Sequence, residues 1–452
     1  MNEPTTVMDM DYLDTDKSLT PFAKYKSFID AIKTASLKKE HLSSVPEIFH
    51  FQEDISNVTD FLETKNSSCQ SFYYDLRRLF LSSLPSLDVF YSYLKHNLHR
   101  LLFKDSERIG SLALNYGWDW GYWGRTALYL YKFSDQDRFL TLVLDSFGQL
   151  EKLRDSSLGL IDEAKGRTVN SWGAQLDGKR YSEVTSTGLI LLPMCELLVF
   201  LKDSKKDFPD FNQEEILQTI ELAIKEFDED FCLFDHLDQT GWYINPVSGK
   251  AEPINHVSTF AAAITHIAYL TKKKEYLDKV DLMLKFLSSA FFQEKNGSYS
   301  WPYTFSPDLD DEAKKFPEFF FKAAVSIEFL VAAYSLNMGF NKSEIDKLIK
   351  TFKLNVCLPD YKINSYISPR YLKEAETAMN RLNDDSQKSV YVNRMMFFVA
   401  WGKLAILERS IKTDIINMVV HNPSLFPGSW FDGARCGSMM LPFFEILQLS
   451  EY

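Results

Sequence analysis

The chain reads as an all-α protein: an (α/α) barrel or toroid of about six helical hairpins behind an N-terminal helical extension. Three observations predict it. Apolar residues recur at helical spacing along nearly the whole sequence, and no stretch shows strand alternation bounded by hairpin turns. Helices that are apolar on almost every face alternate with helices that carry one apolar stripe, as inner and solvent-facing layers would. The apolar helices also return at intervals of about 60 to 70 residues, the cadence of hairpins closing into a ring.

Residues 1–110 form the extension, with helices predicted at 21–35, 71–84 and 87–103. Residues 111–452 form the toroid. Its inner helices are predicted at 124–133, 185–201, 257–270, 319–336, 393–407 and 437–449, and its outer helices at 136–153, 213–227, 275–292 and 343–352. In such a ring the loops feeding the inner helices line one mouth. Here those loops hold Trp118, Asp119, Trp120 and Trp123, then Trp172, Arg180 and Glu183, then Glu252 to His256, then Tyr299 to Tyr303, and finally Trp430 and Asp432.

A chain of 452 residues with 45% hydrophobic and 15% aromatic content can bury a large core, which argues against disorder. Its 62 acidic and 50 basic residues give a net charge of -12, which repels a phosphate backbone. The short lysine runs around Lys205 and Lys273 read as solvated helix ends, so nucleic acid is not an expected partner. Cys69, Cys195, Cys232, Cys357 and Cys436 are widely spaced, with no CxxC pair, and read as reduced thiols. The N-terminus has no charged segment followed by an apolar run, and the longest apolar stretch, 189–201, is too short to span a bilayer. A cytoplasmic protein without a membrane span is expected. No cofactor or metal is expected either, because HExxH, calcium-loop, Cys/His-cluster and Gly-rich phosphate motifs do not occur.

Chemistry concentrates between residues 252 and 303. Asn255-His256 opens an apolar helix, and one hairpin later comes the aromatic loop Asn296-Gly297-Ser298-Tyr299-Ser300-Trp301-Pro302-Tyr303. An imidazole titrating near neutrality, an amide and a phenol at one mouth suit removal of a proton next to a carboxylate. Sugar rings present flat C–H faces edged with hydroxyls, so Trp118, Trp120, Trp172 and Trp301 read either as sugar platforms or as plugs of the barrel end, with Trp430 beside them. Asp119, Arg180 and Arg435 are polar candidates in the same loops. His266, ten residues beyond His256, faces another way and reads as core.

The arrangement resembles the (α/α) toroid enzymes that act on uronates, namely polysaccharide lyases of the alginate-lyase type and the C-terminal barrel of glucuronyl C5-epimerases. The likeness rests on Asn255-His256, on the aromatic loop 296–303 and on the following inner helix from Phe319 to Phe329. It implies a saccharide substrate, with Asn255 on the carboxylate, His256 as the base that takes the C5 proton, and Tyr299 or Tyr303 as the second proton group. The lyases carry an arginine where this chain has none, so Arg125, Arg180 or Arg435 would have to serve.

Competing readings remain. Asp308-Leu309-Asp310-Asp311 matches the DxDD pattern of class II terpenoid cyclases, whose central acid must stay protonated in a dry cavity; here Glu312, Lys314 and Lys315 flank it. Glycoside hydrolysis needs only two carboxylates facing a sugar, and Asp119, Asp177, Glu183 and Asp432 all fall in mouth loops. A helical ring with an aromatic mouth can also bind glycans without acting on them.

Overall fold

The computed structural model describes residues 116–422, apart from 177, 206–207, 209–210, 235–238, 306–315, 372–393 and 395–396, together with Tyr91, Leu94, Lys95, Leu98, Leu102 and Ala113. The N-terminal extension apart from those five residues of 91–102, the last inner helix, Trp430, Arg435, Asp432, Asp177, His236 and the Asp308, Asp310 and Asp311 motif lie outside the described residues.

The fold is an (α/α) toroid. A π-helical turn at Tyr116–Trp120 leads into α1 (Gly121–Ser134), and α2 (Asp137–Lys152) returns outside it. The strands β1 (Gly173–Leu176) and β2 (Lys179–Ser182) form a hairpin before α3 (Val184–Ser204) and α4 (Gln213–Lys225). The unit then repeats with β3 (Phe231–Phe234), β4 (Thr240–Tyr243), α5 (Ile254–Thr271) and α6 (Lys274–Ala290). It repeats again with β5 (Phe292–Gln293), β6 (Tyr299–Ser300), α7 (Phe320–Ser335) and α8 (Lys342–Lys350). A fourth hairpin, β7 (Cys357–Leu358) with β8 (Lys362–Ile363), precedes a 3-10 run at Ala400–Ile406 and α9 (Ser410–His421).

The layers follow from composition. In α2 the buried residues Phe139, Leu140, Val143, Phe147 and Leu150 make one stripe, so that helix has an inside and an outside. In α5 nearly every residue from Val257 to Ala268 is buried, which requires neighbours on all sides. Those neighbours are chiefly α3 and α7. The inner backbones come close enough to demand glycine at the contacts: a Cβ on Gly188 of α3 would lie 2.4 Å from the Phe260 nitrogen of α5, and one on Gly121 would lie 2.5 Å from the Leu189 carbonyl oxygen of α3.

Across the ring the inner helices meet through charges. Arg125 of α1 binds Glu196 of α3 at 2.8 Å and Glu328 of α7 at 3.0 Å, and Lys403 of the 3-10 run binds the same Glu328. Burial alone would raise the Glu328 carboxyl, but the two cations outweigh it and hold it down at about 2. His266 packs against this cluster with its Nδ1 2.7 Å from the Ala262 carbonyl, and burial lowers its pKa.

Two expectations need correction. Strands exist: among the described residues they form four antiparallel two-stranded hairpins of two to four residues per strand, too short to register as alternation. Each leads from an outer helix to the next inner one. The loop of the first is the Asp-Gly pair 177–178, with Gly178 at φ 77°, a sequence signal for a tight hairpin. Second, α3 is longer than the stretch 189–201 and, by length and composition, long and apolar enough to cross a bilayer; 89% of its apolar window is nevertheless buried within the protein. Among the described residues, Cys195, Cys232 and Cys357 are free thiols.

Candidate active site at the inner-helix mouth

The site is built where hairpins hand over to inner helices. Glu183 directly precedes α3, Glu252 stands two residues before α5, and Glu318 stands two residues before α7. Asp119, likewise two residues before α1, is buried. An acid in each of these places faces the positive end of its helix, which favours the carboxylate. Four residues beyond Glu252 comes His256, and four beyond Glu318 comes Lys322, each the third residue of its helix.

His256 is the centre of a hydrogen-bonded chain. Its Nδ1 lies 3.1 Å from Glu252 Oε2, and its Nε2 lies 3.3 Å from the Tyr303 hydroxyl. An ionised carboxylate only accepts, so the imidazole proton belongs on Nδ1 and leaves Nε2 as the acceptor for the phenol. Glu252 is itself fixed: Asn245 Nδ2 donates to its other oxygen at 2.8 Å, and its side chain is 7% exposed. Tyr303 is held against the same helix start, because the Ile254 amide donates to the Tyr303 carbonyl at 3.0 Å. The imidazole retains 22% exposure, enough to meet a ligand. Asn255 beside it is buried, and its Oδ1 has no hydrogen-bond partner.

Three further groups shape the electrostatics. Glu183, partly exposed, accepts from Ser186 at 3.2 Å; burial, with repulsion from Glu252 added, pushes its carboxyl up to about 7 against the pull of His256. Burial raises the Tyr303 phenol, and Glu318, Glu252 and Glu183 raise it further, so it stays protonated. Burial also pushes the Glu318 carboxyl up and the Lys322 ammonium down. The Glu318 carboxyl accepts from the Trp301 indole and from Ser326 Oγ at 2.8 Å, while Lys322 Nζ sits 3.5 Å from the Tyr303 ring centroid.

The structure brings His256 and Tyr303 together, with Asn255 buried beside His256 in the chain, and it sets Tyr299, Trp120, Trp172, Trp301 and Arg180 to other contacts. Tyr299 points outward, its ring stacked on Phe291 and its hydroxyl 3.1 Å from Lys347 of α8. Trp120, Trp172 and Trp301 are at most 1% exposed, and their indole N–H groups donate to Ser146, to the Leu150 carbonyl and to Glu318. Burial leaves those rings no free face for a sugar, so they plug the barrel end. Trp118 is partly exposed and stacks on Tyr122. Arg180 is buried in an ion pair with Asp155 at 2.6 Å, and Arg125 belongs to the central cluster, so neither stands ready for a substrate carboxylate.

Sequence reasoning passed over Glu318 and Lys322. The signal for them was present as the repeated spacing of an acid before the helix and a polar residue four positions later, shared with Glu252 and His256.

No family model matches the chain, and no curated protein matches it. In fold it is similar to a solved C. acetobutylicum ATCC 824 glycoside hydrolase from family 105, at 11% identity and a TM-score of 0.42 over 73% of this chain and 94% of that one. No residue role follows from a likeness at that level.

Proposed function

We propose that the protein is a carbohydrate-active enzyme that removes the C5 proton of a uronate within an acidic saccharide and eliminates the 4-linked group, a lyase reaction. The observation that carries this is the chain from Glu252 through His256 to Tyr303. Glu252 holds the proton on Nδ1, and when a bound sugar draws the Tyr303 hydroxyl from Nε2 to its 4-oxygen, the freed Nε2 lone pair takes the C5 hydrogen. Tyr303, kept protonated by its surroundings, donates its proton to the departing 4-oxygen as the C5–H electrons become the new C4–C5 double bond. The imidazolium then returns its proton to the phenolate across the 3.3 Å contact, restoring both groups. In this reading the Asn255 Nδ2 amide donates to the substrate carboxylate and stabilises the charge that builds on it.

Base and acid lie so close that both address one face of a bound ring. Elimination can use one face; epimerisation needs a proton returned from the other. Incubation with a panel of uronate polysaccharides, followed by ultraviolet absorbance of an unsaturated product, tests the reading. Absorbance that grows with the wild-type protein and is abolished in His256→Ala and Tyr303→Phe supports it. Solvent deuterium entering C5 without absorbance would replace elimination by epimerisation.

A second reading has one observation in its favour. Glu183, a carboxyl held near neutrality within electrostatic reach of Glu252, is suited to donate a proton in glycoside hydrolysis. New reducing ends without absorbance, lost in Glu183→Gln, would select it.

A further inference from the structure

Proton abstraction beside a carboxylate needs a positive partner for that carboxylate, and the two described arginines considered from sequence are engaged elsewhere, Arg435 lying outside the described residues. Arg125 is shared between Glu196 and Glu328, and Arg180 is paired with Asp155. Lys322 differs from both. It occupies the first turn of α7, in the position that His256 occupies in α5, and its ammonium lies over the ring whose hydroxyl meets His256. An ammonium has three N–H donors and no acceptor. Among the described residues, no hydrogen bond or ion pair engages Lys322 Nζ.

Glu318 does not take that role, although it lies one turn earlier. Its Oε2 faces the Trp301 indole and Ser326, and burial favours its neutral form. The face of Tyr303 and the electrostatic pull of Glu318 hold the ammonium in place, and among the described residues no hydrogen-bond acceptor takes its N–H groups. Arg394 adds a second positive charge within electrostatic range and lies over the Phe321 ring. A partly buried ammonium with unused donors, beside a base and a phenol, is an anion receptor in its unliganded form.

We infer that Lys322 selects an anionic substrate, its ammonium receiving the carboxylate of the sugar presented to His256 and Tyr303. This rests on the proton-transfer reading of the same site and adds to it the residue that recognises the substrate class. Glu183, Glu252 and Glu318 at the mouth would repel such a ligand, and among the described residues Lys322, with Arg394 near it, offsets them.

Calorimetric titration separates the two ideas because it needs no turnover. The full chain is titrated with oligosaccharides of glucuronate, galacturonate and mannuronate, and with their carboxyl-reduced neutral counterparts. The wild type should bind at least one acidic oligosaccharide roughly ten- to a hundredfold more tightly than its neutral counterpart. Lys322→Met should lose that preference while binding the neutral sugar as before, and Lys322→Arg should keep most of it. Circular dichroism checks the fold of both variants, and Lys322→Gln replaces the methionine variant if that one fails to fold. His256→Ala should retain the preference while losing any turnover. Equal binding of acidic and neutral sugars by the wild type, or a preference that survives in Lys322→Met, overturns the assignment. Retained acid preference with no elimination product from any substrate leaves Lys322 standing and removes the lyase reading instead.

Discussion

Replacing Arg125 with methionine tests whether the inner helices are locked through their central charges. Among the described residues the wild-type cluster sets Arg125 and Lys403 against Glu196 and Glu328. Side-chain exposures are 5% for Arg125, 6% for Lys403, 9% for Glu328 and 13% for Glu196, so water cannot take over the work of a missing partner. The substitution keeps the aliphatic volume but leaves two carboxylates facing one ammonium. Breaking a buried pair by removing one member costs about 3–5 kcal/mol, a large fraction of the ~5–15 kcal/mol that holds a domain folded. Urea unfolding followed by circular dichroism should show the midpoint falling with the slope unchanged. Arg125→Met combined with Glu196→Gln leaves one balanced pair and should recover at least half of the loss, the signature of coupling in a double-mutant cycle. A single-variant loss under about 1 kcal/mol, or a double variant weaker than the single, would refute the claim that these charges are desolvated and mutually dependent.

Three other outcomes follow from the same geometry. Gly188→Ala drives a methyl group into the backbone of α5 and should cost about 3 kcal/mol or more, whereas Gly148→Ala, on α2 with nothing within 4 Å, should gain about 0.5–1 kcal/mol; urea midpoints of the pair measure both. Glu252→Gln preserves shape but removes the charge that fixes the imidazole proton, so elimination kcat should fall roughly ten- to a hundredfold with KM nearly unchanged, as initial-rate kinetics would record. The Glu183 carboxyl is raised from 4.5 to about 7 in the fold, so the folded chain holds its proton more tightly than the unfolded one; stability from this group is full below pH 4.5 and is lost as pH rises through 7, by at most about 3 kcal/mol before discounting its partial exposure. Unfolding midpoints at pH 5 and pH 8 should therefore fall further in the wild type than in Glu183→Gln.

The helical layers were legible because burial imposes a period on each of them. The inner helix predicted at 257–270 is α5 at Ile254–Thr271, and the one predicted at 319–336 is α7 at Phe320–Ser335. The early start of α5 carries consequences for the site. Asn255 and His256 looked like the end of a polar loop, but the buried Ile254 and the Tyr303 carbonyl that accepts its amide pull them into the first helical turn. The inner helix predicted at 393–407 is α-helical at its described residues 394 and 397–399 and tightens to 3-10 over Ala400–Ile406, a change that apolar spacing does not encode. Which aromatics face a ligand was equally hidden: Trp301 and Tyr303 are two residues apart in one loop, yet the indole turns into the core toward Glu318 and the phenol toward His256.

The site repeats a spacing. An acid stands directly before α3 and two residues before α1, α5 and α7, and the residue four places on falls in the first turn of each helix: Trp123 after Asp119, Thr187 after Glu183, His256 after Glu252 and Lys322 after Glu318. Two of those residues are buried, Trp123 as packing and Thr187 with its hydroxyl oxygen unpartnered. The other two, His256 and Lys322, belong to neighbouring helices and are joined through Tyr303, whose hydroxyl meets one and whose ring carries the other. A tyrosine in that bridging place couples a proton acceptor to a positive charge, which is what deprotonation next to a carboxylate requires. Tyr303→Phe therefore separates its two duties: the ring that supports Lys322 remains and the hydroxyl that meets His256 is lost. Acid-oligosaccharide binding should persist within about threefold while elimination disappears. Loss of both together would mean that the phenol positions the lysine rather than transferring a proton.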